Sequence, residues 1–422
     1  MHIKNFDPYD FSKKEIDGVT VYYKNLPWAP CIHIQWAFST GAFADPVGQE
    51  GVAHFLEHMI GNGCPSLPDK KAIRDFSRLY MLNSRNAFTG HDITAYVGRC
   101  LPEHFPLVIS KMKEYVFHPI LRAEDVEHER KVITQEAWGR YKNTKFLAYV
   151  KELSKNIYHG HERARISSPL GWPETVATIT QENISDFHKK NYVKENLSIF
   201  LAGAIEEKDM DQLTEIIKTI PNGNKTEKIS GAIHKPLEMR FVKTGEEIGD
   251  PREQLEFTLT RPLNELPTEK LAIANQTRML LYDALFERLR TEHSLCYGVS
   301  VWIDKYKGYG EAGISVNTSV EKLSLVEQEI RNIIEEIVQG KWKDRFNTIH
   351  ILSVDQIRSN ERSTETVLGG ASNAVTTTNQ ITPLQEILKK EEIVTYKDVQ
   401  DLVKDLFDPE YVFTEIILPS KK

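Results

Sequence analysis

Two stretches of this chain, residues 180–192 (TQENISDFHKKNY) and 395–407 (TYKDVQDLVKDLF), can be laid on one another without a gap. Thr180/Thr395, Asp186/Asp401 and Lys189/Lys404 are identical, and Ile184/Val399, Phe187/Leu402 and Tyr192/Phe407 are alike. Each stretch leads into a strand-like run, LSIFLAG or YVFTEIIL. Any two amphipathic helices can be matched this well, so the order of elements around them matters. In the first half Ile32, Ile34, Trp36 and Phe38 alternate as in a strand. A helical stretch follows at about 50–60, strand-like residues at about 93–99, then helical stretches at about 102–116 and 124–143. In the second half Leu255, Phe257 and Leu259 alternate, and a helical stretch covers about 268–292. Strand-like segments at about 297–303 and 311–317 come next. The helix after them puts Leu323, Val326, Ile330, Ile333, Ile334 and Ile337 on one face and stops at Gly340, a natural C-terminal cap. A repeated order of this kind predicts an internal duplication.

The polar, Pro-flanked stretch PNGNKTEKISGAIHKP (221–236) reads as an exposed linker. The expected layout is a first domain at 1–220, the linker at 221–236, and a homologous second domain at 237–422. The fold class expected is α+β: two such domains, each a mainly antiparallel sheet with helices packed on one face. With 53 Lys+Arg against 60 Asp+Glu the chain carries −7, which argues against nucleic acid as a partner. No apolar run approaches the roughly 18 residues needed to span a bilayer. The start, MHIKNFDPYDF, lacks the basic and apolar segments of a signal peptide. Cys31, Cys64, Cys100 and Cys296 form no CxxC pair. Reduced thiols in a cytoplasmic protein are therefore expected, and a zinc-thiolate site is not.

The segment GVAHFLEHMIG (51–61) carries the chemistry. His54 and His58 are four apart, so both imidazoles project from one helix face and can reach one cation. Glu57 shares that face and could take a proton from water that a metal ion has acidified. On a helical wheel Val52, Phe55, Leu56, Met59 and Ile60 cluster on one side, nearly opposite the polar trio. A solvent-facing trio would look the same, but a metal site suits the residue types better. A catalytic zinc takes three protein ligands and leaves one position open. Candidates for the third lie in EDVEHERKVITQEAWGRY (124–141), where Glu129 and Glu136 are seven apart and share one side of a helix. Both sit at the edge of its apolar face, where a carboxylate is costly unless paired or bound to metal.

These residues resemble the inverted-motif zinc peptidases that include pitrilysin, insulin-degrading enzyme and mitochondrial processing peptidase. Members carry H-x-x-E-H and a later Glu ligand, and Glu136, 78 residues after His58, is close to that spacing. The pattern from Glu129-Arg130 to Glu136 also looks like the family's. Three consequences are implied by the resemblance. His54, His58 and Glu136 bind one zinc ion per chain, Glu57 is the general base, and Glu129 orients a ligand. Asn86-Ala87-Phe88-Thr89 resembles the family's N-A-x-T stretch, which implies a strand edge that holds peptide substrate as an added strand through Asn86, Ala87 and Thr89. LFERLRTEHSLCYGVS resembles L-R-E-x-x-G-L-A-Y, which implies that Tyr297 stabilises an oxyanion and Arg290 holds a substrate carbonyl.

Two departures stand out. Members often read H-M-x-F-x-G-T where this chain has HMIGNGC, and Ser294 replaces the usual Gly. The implied activity is a zinc-dependent endopeptidase of the smaller, two-domain branch, each chain one half of a clam-shell. It would act on short or unfolded peptides in a chamber formed by two chains, as a homodimer or a heterodimer with a related chain. The alternatives are a partner-dependent processing-peptidase subunit and a zinc-binding subunit without catalysis.

Overall fold

The first sheet follows directly from the alternating runs. In the computed structural model, which describes residues 7–227, 231–359 and 364–420, six strands form it: β1 (Ser12–Ile16), β2 (Val19–Asn25), β3 (Ile32–Phe38), β4 (Asn86–Thr89), β5 (Thr94–Cys100) and β6 (Leu197–Gly203), in the order β1-β2-β6-β3-β5-β4. A second sheet holds β7 (Arg240–Thr244), β8 (Leu255–Leu263), β9 (Val299–Tyr306), β10 (Tyr309–Thr318) and β11 (Phe413–Leu418), in the order β7-β11-β8-β10-β9. Residues 228–230 of the expected linker lie outside the described residues. The pairs β2/β6 and β7/β11 are parallel and the other pairings antiparallel. With β1 set aside, β2-β6-β3-β5-β4 and β7-β11-β8-β10-β9 correspond strand for strand.

The gap-free sequence match extends to atomic detail. The helices Gln181–Asn191 and Tyr396–Leu406 are both capped by Thr. Thr180 accepts from the Asn183 backbone N–H at 3.1 Å, and Asn183 Oδ1 accepts the Thr180 N–H at 2.9 Å. Thr395 and Asp398 repeat the exchange at 3.3 and 2.8 Å. Two reciprocal capping boxes at the same place in both sheets are what a duplicated unit predicts. The helix expected at 268–292 is a composite, with a 3-10 turn at Thr268–Lys270, an α-helix at Leu271–Leu285 and a π-helical stretch at Phe286–Glu292.

Two compact units result. The first gathers the described residues of Met1–Arg140, Ile166–Lys228 and Arg362–Thr382; the second gathers those of Tyr141–Arg165, Ile229–Glu361 and Pro383–Lys422. In the first, α1 (Val52–Ile60), α2 (Lys70–Tyr80), α3 (Phe105–Phe117) and α4 (Ala123–Tyr141) supply most of the helical layer. Ile32, Ile34, Trp36 and Phe38 of β3 are fully buried in one core with Phe55, Leu56 and Met59 of α1 and Phe105, Val108 and Met112 of α3. Each such side chain contributes about 1.5–3 kcal/mol through burial. The opposite face of this sheet, with Ala37, Ala95 and Phe200, meets Leu368 and Ala371 of the helix Thr364–Thr378. There Gln35 Nε2 donates to Ser372 Oγ at 2.5 Å.

In the second unit, Phe257, Ile314, Val316 and Ile416 form a core with Leu280, Leu281, Ile330, Ile333, Val399 and Leu402. Its additional helix is α5 (Thr144–Ile157). Tyr149 on α5 donates to the Glu415 carboxylate of β11, and Tyr158, just past its end, donates to Glu311 of β10. Trp302 Nε1 also donates to Glu311, at 2.8 Å. Burial pushes both carboxyls up to about 7. A carboxyl raised in the folded state keeps its proton longer there than in the unfolded chain. Its stabilising contribution is full below the ordinary carboxyl range and is lost as pH rises through about 7. The three donors favour the charged form and limit the effect. Between about pH 5 and 8 the loss should be about 1–3 kcal/mol. Thermal unfolding at both pH values should show a smaller drop for Glu311→Gln/Glu415→Gln than for the wild type; equal drops would refute this. Among the described residues, no helix is long and apolar enough to cross a membrane.

Candidate metal centre

A single helix supplies two of the three converging ligand-type side chains. α1 starts at Gly51, whose φ of +103° suits glycine. A Cβ there would lie 2.9 Å from the Leu170 carbonyl oxygen. The buried Asp45 carboxylate accepts from the Gly51 and Ala53 N–H groups at 2.6 and 3.0 Å, so an acidic cap fixes the helix start. Val52, Ala53, Phe55, Leu56, Met59 and Ile60 are completely buried. Anchoring that face holds His54, Glu57 and His58 on the other.

Glu136 of α4 completes the group. One donor atom each from His54, His58 and Glu136 lies within 4.8 Å of the others. Glu136 Oε2 is 3.9 Å from His54 Nε2 and 3.6 Å from His58 Nε2. A tetrahedral zinc with bonds of about 2.1 Å sets its donor atoms roughly 3.4 Å apart, so this spacing fits the ion. Electrostatics act on the two rings in opposite directions: burial works to lower His58, but the Glu129, Glu136 and Glu57 carboxylates outweigh it and raise it. Burial, and then the neighbouring His58 ring, pushes His54 down to about 3, leaving a neutral imidazole with a free lone pair. His58 Nδ1 faces Glu129 Oε2 at 3.1 Å, which leaves Nε2 for a ligand. Glu129 is 1% exposed, and Lys70 Nζ donates to its other oxygen. Burial works to raise Glu129, but the bonds from His58 and Lys70 outweigh it and hold the carboxyl at about 2.

Glu57 does not point into this trio alone. Thr89 Oγ1 of β4 donates to Glu57 Oε2 at 2.6 Å. Burial pushes the Glu57 carboxyl above its ordinary value against that bond. β4 is the last strand of its sheet and pairs only with β5, leaving its other edge without a strand among the described residues. Asn86 and Phe88 are exposed there, while Ala87 and Thr89 are half-buried.

Arg290 and Tyr297 form a separate group in the second unit. Arg290 lies on the π-helical stretch and donates to the Tyr297 carbonyl oxygen. Tyr297 is 75% exposed. Both line a cavity of about 660 Å³ with Ser294, Cys296 and Lys322. Ser294 adopts a left-handed φ of +51°, which explains why glycine is usual at this place. Lys322 Nζ holds its carbonyl at 2.8 Å. Ser294→Gly removes roughly 1–2 kcal/mol of strain but frees the unfolded chain by about 0.4–1 kcal/mol. The unfolding midpoint should rise slightly; a fall would show that the serine is preferred.

Two family models match the chain, insulinase (peptidase family M16) over residues 20–167 and the peptidase M16 inactive domain over residues 178–345. The chain belongs to the M16 peptidase family. An uncharacterized zinc protease of Rickettsia felis is 27% identical over 355 residues, 79% of this chain and 81% of the relative. The mitochondrial-processing peptidase subunit beta of Dictyostelium discoideum is 30% identical over 180 residues, 42% of this chain and 37% of that one. Among solved structures, a protease from Helicobacter pylori superimposes with a TM-score of 0.84 at 16% identity, covering 97% of this chain and 99% of that one. The peptidase M16 inactive domain from Pseudomonas fluorescens gives 0.83 at 17%, covering 98% of both. The two-sheet fold is thus an M16 fold. Three residues of this M16 chain carry no sequence signal for the parts they play: Asp45 at the helix start, Lys70 on Glu129, and Arg85, which faces the cavity beside Glu57. Each lies far along the chain from its partner or in a loop without a motif.

Proposed function

We propose that this chain is a zinc-dependent endopeptidase that hydrolyses short or unfolded peptides. The observation that carries the reading is the convergence of His54, His58 and Glu136, with Glu57 beside them on α1 and hydrogen-bonded to an edge strand. His54, His58 and Glu136 would hold the zinc, one ion per chain, and Glu129 would fix the His58 ring through Nδ1. Zinc, when bound, supplies Lewis acidity that acidifies water and polarises a carbonyl. Glu57 takes the proton of the attacking water and passes it to the leaving amine. A peptide binds as an added strand along the free edge of β4, through Asn86, Ala87 and Thr89. Tyr297 stabilises the oxyanion with its hydroxyl, and Arg290 holds a neighbouring substrate carbonyl. Two chains, identical or related, would close the chamber.

A second reading, a partner-dependent subunit, draws support from the likeness to a processing-peptidase beta subunit. One experiment separates the two. A mixed pool of quenched peptides is incubated with the purified chain and with Glu57→Gln, and bound zinc is counted in both. Cleavage by the wild type alone, with zinc in both, supports the self-sufficient enzyme. Zinc in both without cleavage moves the reading to the subunit. Zinc in neither sinks the metal site.

A further inference from the structure

A cavity of about 390 Å³ opens beside Glu57 and His58, between α1, α2 and the start of β4. Its charged lining comprises Glu57, Glu129, Lys70, Arg74 and Arg85, with His58 at the metal end. Glu129 is already satisfied by His58 and Lys70, which also occupies Lys70. Glu57 accepts from the neutral Thr89 hydroxyl, and Arg85 lies close enough to act on its charge without a hydrogen bond between them. The cations left to face the cavity are Arg74, which is exposed, and Arg85, which is half-buried.

Arg85 is held ready for a partner. Its guanidinium lies over the Tyr115 ring at 5.4 Å, and its buried Nε has no hydrogen-bond partner among the described residues. The position that gives it room is Gly61, where a Cβ would come within 3.0 Å of Arg85 Nη2. Gly61 is also where this chain departs from H-M-x-F-x-G-T. A bulky aromatic there would compete with the guanidinium for the same space.

Asn86 and Ala87 of β4 line the same cavity. A peptide added to that edge sends alternate side chains to one side, and one next to the reacting carbonyl would enter. We propose that this cavity is a subsite that selects an acidic side chain of the peptide, Asp or Glu, beside the bond to be cleaved. The inference rests on the proteolytic reading above and names its substrate class. An arginine fork matches a carboxylate in two parallel hydrogen bonds, whereas a neutral side chain leaves a partly desolvated guanidinium unpaired. A basic side chain would meet Arg74 and Arg85 directly.

The test uses matched quenched peptides that differ only in Glu, Gln or Lys at one position, scanned across the cleavage site, with products mapped by mass spectrometry. At one position within two residues of the cleaved bond, the wild type should favour Glu over Lys about tenfold or more in kcat/KM, and less so at high salt. Arg85→Glu should reverse the ratio. Because Arg85 packs on Tyr115, Arg74→Glu on the exposed side is the second variant, expected to cut the ratio at least threefold. The same peptides are titrated by fluorescence anisotropy against Glu57→Gln, which reads binding without turnover and should rank them in the same order. Cleavage with Glu and Lys equivalent at every position, or a preference kept intact in both variants, overturns the subsite and leaves proteolysis standing. If the wild type cleaves nothing, the reading as a self-sufficient protease falls and anisotropy decides: acidic peptides bound no tighter than basic ones overturn the subsite as well.

Discussion

Glu57→Gln lowers kcat by about 10³-fold, within the range that a positioned general base contributes, and leaves the zinc content unchanged. The two halves of this expectation have separate grounds. Glutamine keeps the length of the side chain and still accepts the Thr89 hydroxyl, which sits at 2.6 Å, so the site keeps its shape. The donor atoms that converge belong to His54, His58 and Glu136, and Glu57 is not among them. What the substitution removes is the ability to take and return a proton. Stopped assays on a cleaved peptide, with zinc counted by atomic absorption, check both halves. A fall in kcat below tenfold would assign Glu57 a structural part, and a loss of zinc would make it a ligand.

Glu129→Ala weakens zinc binding by about 10–100-fold, the usual cost of removing a carboxylate that orients a metal-binding histidine. Glu129 fixes which nitrogen of His58 carries the proton, and without it the ring is free to present either nitrogen or to rotate. Lys70 is half exposed and can turn to solvent, so the variant should still fold. Competition against a chromogenic chelator gives the affinity, and circular dichroism at equal zinc loading shows whether the fold is kept. An unchanged affinity would mean that His58 is oriented by helix packing alone.

The sequence shows some of this plainly and hides the rest for physical reasons. The polar and apolar sides of α1 were legible because a helix anchored by six completely buried residues obeys its 3.6-residue period. The duplication was legible because a capping box is local chemistry, spelled by residues three apart. Glu129 and Glu136 could not be told apart by spacing, since seven residues bring both to one side of α4. The difference between them is tertiary: Glu129 is enclosed against His58 Nδ1 and Lys70, while the Glu136 side chain is 43% exposed and lies near both Nε2 atoms. The π-helical turn at Phe286–Glu292 was invisible because apolar periodicity does not record which carbonyl each N–H reaches. Lys70 and Arg85 follow no pattern at all, because their partners come from elsewhere in the chain.

Each unit takes one segment from between strands of the other: residues 362–382 complete the first and residues 141–165 the second. The helix Thr364–Thr378, which covers the back of the first sheet, follows all the strands of that sheet by more than 150 residues, and α5, at the tyrosines that hold Glu311 and Glu415, precedes every strand of the second. A cut in the stretch 221–236, between the two sheets, would therefore yield two fragments, each lacking a piece the other carries. The leading fragment would leave Ala37, Ala95 and Phe200 bare, and the trailing one would leave Glu311 and Glu415 without their tyrosines. Neither fragment inherits a complete sheet with its cover. Recovery of a folded product then requires both fragments together, because each of the two similar units takes one segment from the other's side of the cut.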